Sequence, residues 1–292
     1  MMRLPDFLII GAQKAGTTTL YRDLLSNPNI YMPDDKEPEN LGDDHVLSVE
    51  GRTQYVKLFS RAQNQQLCGE ASTGYTKRPD IEGVAKRART LLGPDLKIIY
   101  LVRQPVARTI SHHNHLANNG GAPHDINLAI QELPCLINYS RYAMQAAPWV
   151  DAFGHHAIRF IQFEDYIANR KQTIARLGAF LGTKLHPELI DEDKNYNPSS
   201  GKPLIHGSKW KAIQQSRIYL KMVRPWLPLD TRRWLSGKLL PKAPTALTPP
   251  TKTTVQYIVD QVHEDTLQLA KLTGSPKQWW DLNEVLEKYK KQ

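Results

Sequence analysis

Apolar residues recur along this chain in two kinds of pattern. Phe7–Ile10 and Lys97–Val102 (KIIYLV) are short, nearly continuous apolar runs, as expected of strands buried on both faces of a parallel sheet. Further strand-like runs fall at Gln66–Glu70 and Ile158–Phe163. Between the runs, apolar positions take helical spacing. Leu20, Tyr21, Leu24 and Leu25 form one stripe, and helical patterns cover Asp80–Leu92, Tyr142–Phe153 and Lys171–Leu181. A late stripe through Val255, Ile258, Val259, Val262, Leu269 and Leu272 predicts an amphipathic helix against the body, with Trp279 and Trp280 closing the chain. Alternating strands and helices predict an α/β fold, a three-layer sandwich whose central, mainly parallel sheet is flanked by helices. A length of 292 residues with 40% hydrophobic content fits one sizeable core, hence a single domain over residues 1–292.

The first run leads into Gly11-Ala12-Gln13-Lys14-Ala15-Gly16-Thr17-Thr18. Gly11 and Gly16 bracket a turn in which backbone can approach a ligand closely. Thr17 is placed to cap the helix that follows. The amides of a first helical turn and its positive dipole end favour an oxyanion, and Lys14 and Thr18 add a charge and a hydroxyl. The loop departs from the Walker A pattern, which needs Lys and then Ser or Thr where Thr17 and Thr18 stand. An ATP-using P-loop kinase would thus lack its phosphate lysine.

The run Lys97–Val102 ends in Arg103-Gln104-Pro105 and a helix containing Arg108, Ser111, His112 and His115. Pro105 suits a first helical turn, and an arginine fork can grip a phosphate bidentately. Both segments lie at the carboxyl ends of predicted strands, where open α/β sheets bind ligands.

Taken together, the two segments resemble the sulfotransferases that use 3′-phosphoadenosine 5′-phosphosulfate (PAPS). The first loop is similar to their 5′-phosphosulfate loop, and the R-x-P-x-x-R-x-x-S pattern is similar to their 3′-phosphate site. The resemblance implies a P-loop-like fold. It implies that Gln13, Lys14, Ala15, Gly16, Thr17 and Thr18 hold one end of PAPS and that Arg103 and Ser111 hold the other. The expected reaction moves a sulfuryl group to a hydroxyl of a carbohydrate, lipid or secondary metabolite, a small molecule or glycan, and the cofactor leaves as adenosine 3′,5′-bisphosphate (PAP). Asp35–Asn40 resembles the K-E-x-x-x-F segment of glycan-modifying and bacterial members, which makes Glu37 the general base and Lys14 the group that stabilises the departing phosphate. Gly69–Tyr75 resembles the G-E-x-S-P-x-Y block of the family. Ala71 stands where glycosaminoglycan enzymes often have lysine, which argues against a highly sulfated acceptor. Ser72 and Tyr75 read first as a satisfied strand-end turn. Asn197–Pro203 resembles the late loop that closes over the nucleotide, with Gly201 and Lys202 on the 3′-phosphate side.

Charge sharpens one region. Lys202–Lys242 holds ten Lys or Arg and one acid, which equals the formal charge of +9 for the whole chain. Trp210, Tyr219, Trp226 and Trp234 are interleaved there. Residues 202–250 are read as a basic, Trp-containing cofactor lid or acceptor segment first, a solvated helical hairpin second, and a peripheral membrane contact last. No nucleic acid partner is expected. His112, His113 and His115 have no Cys or second carboxylate cluster beside them, and no metal is assigned. Two cysteines, Cys68 and Cys135, give no disulfide framework, and no run reaches membrane-spanning length. The early apolar run belongs to the first strand and does not read as a signal peptide, so the expected location is cytoplasmic. The rival functions are the P-loop kinase and a non-enzymatic basic anion-binding protein.

Overall fold

Phe7, Leu8, Ile9 and Ile10 have no exposed surface, because their strand is the middle one of five. The computed structural model describes residues 3–192 and 247–290. The strands are β1 (Phe7–Gly11), β2 (Ile30–Tyr31), β3 (Leu67–Ala71), β4 (Lys97–Val102) and β5 (Ile158–Gln162), and the sheet runs β2-β3-β1-β4-β5 with every pair parallel. Phe7 lies opposite Gly69 on β3 and Lys97 on β4. Glycine is required at 69, since a Cβ there would stand 2.1 Å from the Phe7 ring. Burying each such Phe, Leu or Ile stabilises the fold by roughly 1.5–3 kcal/mol. β4 matches its predicted bounds, and β3 and β5 match within one residue. The two-residue β2 is too short to leave a pattern.

Nine α-helices lie between β1 and residue 192: α1 (Thr17–Leu25), α2 (Val49–Lys57), α3 (Val84–Leu92), α4 (Pro105–Asn118), α5 (Ile126–Glu132), α6 (Cys135–Asn138), α7 (Tyr142–Phe153), α8 (Phe163–Ala168) and α9 (Arg170–Leu181). Beyond residue 247 come α10 (Lys252–Thr273) and α11 (Leu282–Lys290), so Trp279 and Trp280 do not close the chain. α10 is the late amphipathic helix. It packs on α4, α7 and α11, and its Asp265 carboxylate accepts from the Ala143 and Met144 amides at 3.0 and 2.8 Å, at the start of α7.

Two sequence expectations fail locally. Gly16, not Thr17, occupies the N-cap of α1, and no side chain caps that terminus. α3 begins at Val84 instead of Asp80. Tertiary bonds claim the preceding residues: the Arg78 amide donates to Gln145 Oε1 at 2.8 Å, and the Tyr139 hydroxyl donates to Asp80 at 2.5 Å.

One buried ion pair fixes α1. Arg170 at the start of α9 bonds both oxygens of Asp23, at 2.5 and 3.0 Å, and the Tyr166 hydroxyl donates to the same carboxylate at 2.6 Å. The pair's side chains are 5% and 1% exposed. Removing one partner of such a pair costs about 3–5 kcal/mol, because the other charge stays buried.

Candidate active site

The chain leaves β1 toward β2 and β3 on one side and continues from β4 to β5 on the other, so β1 and β4 are adjacent strands whose connections diverge. Such a switch point opens a crevice beyond the carboxyl ends of the strands. The two segments read as anion-binding from the sequence meet here.

The first loop is shaped by its backbone. The Ala12 amide donates to Leu101 O at 2.6 Å, the Ala15 amide to Ala12 O at 3.1 Å, and Thr19 and Leu20 return to Gly16 O at 3.0 and 3.2 Å. Gly16 has φ +86°, and a Cβ on it would stand 2.7 Å from the Phe163 ring. Lys14 has φ +72°, a left-handed conformation that costs a non-glycine residue on the order of 1–3 kcal/mol. A bond offsets part of that cost: Arg103 Nη1 donates to Lys14 O at 3.2 Å. The structure thereby joins the loop residues Gln13, Lys14, Ala15, Gly16, Thr17 and Thr18 to the arginine at the end of β4. No acidic side chain lies in the first turn of α1, which leaves the terminus attractive to an anion.

Arg103 is itself held on several sides. Its guanidinium carbon lies 4.8 Å from the centroid of the Phe163 ring, a cation–π contact. Tyr142 OH donates to Arg103 O at 2.6 Å and accepts from Arg103 N at 3.2 Å. Burial lowers the guanidinium pKa, against the attraction of Glu164. Glu164 also accepts from the Gln104 amide at 3.0 Å and from Trp280 Nε1 at 3.3 Å, so the chain's last segment braces this turn. Gln104 caps α4, its Oε1 accepting from Ala107 N at 2.6 Å, and Pro105 takes the first helical position.

Ser111 is 8% exposed, two turns into α4. Arg108 has no exposed surface; it donates to Ser140 Oγ at 2.5 Å and Leu136 O at 2.6 Å, bracing α4 against the α6 region. Phe163, Glu164 and Tyr142 carried no mark in the sequence pattern of their role as supports. Phe163 and Glu164 directly follow β5, and that position beyond a strand end is the signal that could have marked them.

His112 is 2% exposed and stacked on Tyr139, with ring centroids 5.5 Å apart. Burial first, then Arg108, His115, Lys77 and Lys14, push its pKa down to about 2. The unfolded chain takes a proton on this residue near 6.5 and the folded chain does not, so acid favours unfolding. The expected contribution is about 2 kcal/mol of stability lost between pH 7.5 and pH 5. Denaturant titrations at the two pH values check it, and His112→Gln should remove that part of the slope.

Glu37 sits on a segment hung from the end of β3, the strand on the other side of β1 from β4. Its amide donates to Ala71 O at 2.9 Å, and Thr73 Oγ1 donates to its Oε2 at 3.1 Å. Lys36 Nζ pairs with its other oxygen. Burial acts to raise the Glu37 pKa, but Lys36, the Thr73 bond and Lys77 outweigh it, so the pKa lies below the usual carboxylate value. The side chain is 37% exposed, open to an incoming hydroxyl. Ser72 and Tyr75 hold this segment: Glu39 N donates to Ser72 Oγ at 3.1 Å and Leu41 N to Tyr75 OH at 3.2 Å.

The segment after β4 has donors to spare for an anion. Arg103 Nε and Gln104 Nε2 are buried donors with no hydrogen-bond partner among the described residues. Gly201, Lys202 and the basic stretch 202–242 lie outside the described residues. A separate groove of about 590 Å³ lies by the far end of α1, lined by Leu25, Tyr31, Met32 and Arg61 and by none of the predicted site residues.

A family model described as "Sulfotransferase domain" matches residues 4–197. The "Membrane-associated sulfotransferase kil1" of Dictyostelium discoideum is 32% identical over 114 residues, 39% of this chain and 23% of that protein. "Heparan sulfate glucosamine 3-O-sulfotransferase 6" of Homo sapiens is 25% identical over 231 residues, 74% of this chain and 64% of that protein. The chain therefore spans less than two thirds of either relative. Among solved structures, a sulfotransferase from Alicyclobacillus acidocaldarius superposes with a TM-score of 0.60 at 20% identity, covering 94% of this chain and 98% of that one, so the two share a fold.

Proposed function

Because the chain belongs to the sulfotransferase domain family, we propose that it moves the sulfuryl group of PAPS to a hydroxyl of a carbohydrate, lipid or secondary metabolite. The observation that carries this reading is the bond from Arg103 Nη1 to Lys14 O, which unites two anion-binding segments 89 residues apart at one switch point. A kinase reading has no lysine after Gly16 to support it. The glycan-directed names among the relatives favour a carbohydrate hydroxyl.

In this reading Gln13–Thr18 hold the 5′ end of the cofactor, and Arg103 and Ser111 hold the 3′-phosphate. When bound, PAPS supplies an activated sulfuryl group. Glu37, whose lowered pKa keeps it ionised at neutral pH, would receive the proton of the acceptor hydroxyl. Its lowered pKa makes it a weaker base than an unpaired carboxylate, yet it is always ready to accept. The Lys14 ammonium would stabilise the negative charge that grows on the departing phosphate oxygen. Among the described residues no helix is long and apolar enough to cross a membrane.

A thermal-shift comparison tests the reading. PAP at about a hundred times its dissociation constant should add about 2.7 kcal/mol of stability, while ATP with magnesium should add far less. Stabilisation by ATP and magnesium alone would move the chain to the kinases. Stabilisation by anionic lipid or nucleic acid, with no response to PAP, would make it a binding protein.

A further inference from the structure

Glu37 and Glu39 both have left-handed backbone, at φ +65° and +55°, in a segment without regular structure until residue 40. Each such conformation is held by surrounding contacts and not by its own preference. Those contacts run through hydroxyl groups to one buried carboxylate. Glu39 N donates to Ser72 Oγ, and Ser72 Oγ donates to Glu70 Oε1 at 2.7 Å. Leu41 N donates to Tyr75 OH, which also faces the Glu70 carboxylate. Tyr55 OH donates to the second Glu70 oxygen. Glu70 and Tyr55 have no exposed surface, and Ser72 and Tyr75 have 1% and 2%.

The direction of these bonds matters. A hydroxyl carries one proton, so Ser72 presents a lone pair to Glu39 N only while its proton goes elsewhere. Burial raises the Glu70 pKa and the bonds from Tyr55, Tyr75 and Ser72 act against it; while the carboxylate is ionised it accepts and never donates, which fixes the hydroxyl protons toward Glu70 and the lone pairs toward the Glu37 segment.

We propose that Glu70 is a positioning residue for Glu37, acting through Ser72 and Tyr75 on the backbone of residues 37–41. This rests on the reading of Glu37 as the base. Glu70 does not itself meet the acceptor, since both its oxygens are occupied and buried.

The test uses Glu70→Gln in the full chain, because Gln brings a donor to a position where hydroxyls already donate. Amide exchange at Glu39 should quicken by about five- to tenfold, the loss of one net hydrogen bond, while exchange at Ile9 and Ile99 in the central strands stays as in the wild type. The Glu37 carboxyl, followed by carbon NMR across pH, should titrate closer to the ordinary carboxylate value, since drift of the segment weakens its Thr73 bond. Affinity for PAP by calorimetry should stay within about twofold. Glu70→Gln protein with wild-type Glu37 titration and Glu39 exchange would overturn the proposal, even if it melted at lower temperature. Should that variant not fold, Ser72→Ala removes only the hydroxyl link, and the same readouts decide in the same way. If the wild type binds no PAP, the functional reading falls, whereas the Glu37 titration still decides the relay.

Discussion

Glu37→Gln should bind PAP as the wild type does and lose sulfate transfer by about 10²- to 10⁴-fold, the usual worth of a general base. The substitution keeps the shape and keeps an oxygen able to accept from Thr73 Oγ1. It removes the only feature the reaction needs at that atom, an electron pair basic enough to take a proton. Two other groups nearby are poorly placed to take over. His112 is buried and stacked, and Glu70 is fully enclosed by hydroxyl donors. The measurement is turnover with labelled PAPS on whichever hydroxyl acceptor a screen identifies, beside calorimetry with PAP. Transfer at the wild-type rate would remove Glu37 from the mechanism.

Arg103→Ala should weaken PAP binding by about 10²- to 10³-fold, the value of one or two charge-assisted hydrogen bonds to phosphate. Two effects add. The 3′-phosphate loses its forked donor, and the Lys14 carbonyl loses the bond that helps hold a left-handed residue in the opposite half of the site. Arg103→Lys should recover only part of the affinity, because an ammonium reproduces the charge and not the planar fork. Its compact head also stacks less well on the Phe163 ring. Affinity unchanged in the alanine variant would separate Arg103 from the nucleotide.

Much of this architecture was legible because it rests on local chemistry. The buried run at β4 and the Pro105 start of α4 are set by residues adjacent in sequence, and both appear where expected. The meeting of the two anion segments followed from the general placement of ligands at strand ends. What escaped depends on residues far apart. Phe163 comes between Gly16 and Arg103 only because β5 lies beside β4. α3 loses its expected first turn to Gln145 of α7 and to Tyr139 just before it, 67 and 59 positions downstream of their partners. Thr17 has the chemistry of a cap, but the positive φ of Gly16 sets the end of the helix one residue earlier. Ser72 and Tyr75 were legible as a strand-end turn, but their direction toward Glu70 required knowing which carboxylate was enclosed.

The Asp23–Arg170 pair has a consequence for how the chain is made. In synthesis the loop over residues 11–16, with Asp23 on the helix behind it, precedes its counter-charge, since Arg170 stands 147 positions further along. Until then that helix has a carboxylate destined for burial and nothing to neutralise it. The helix behind that loop is therefore completed by a residue made much later, and chains stalled before residue 170 should gain no protease resistance from PAP.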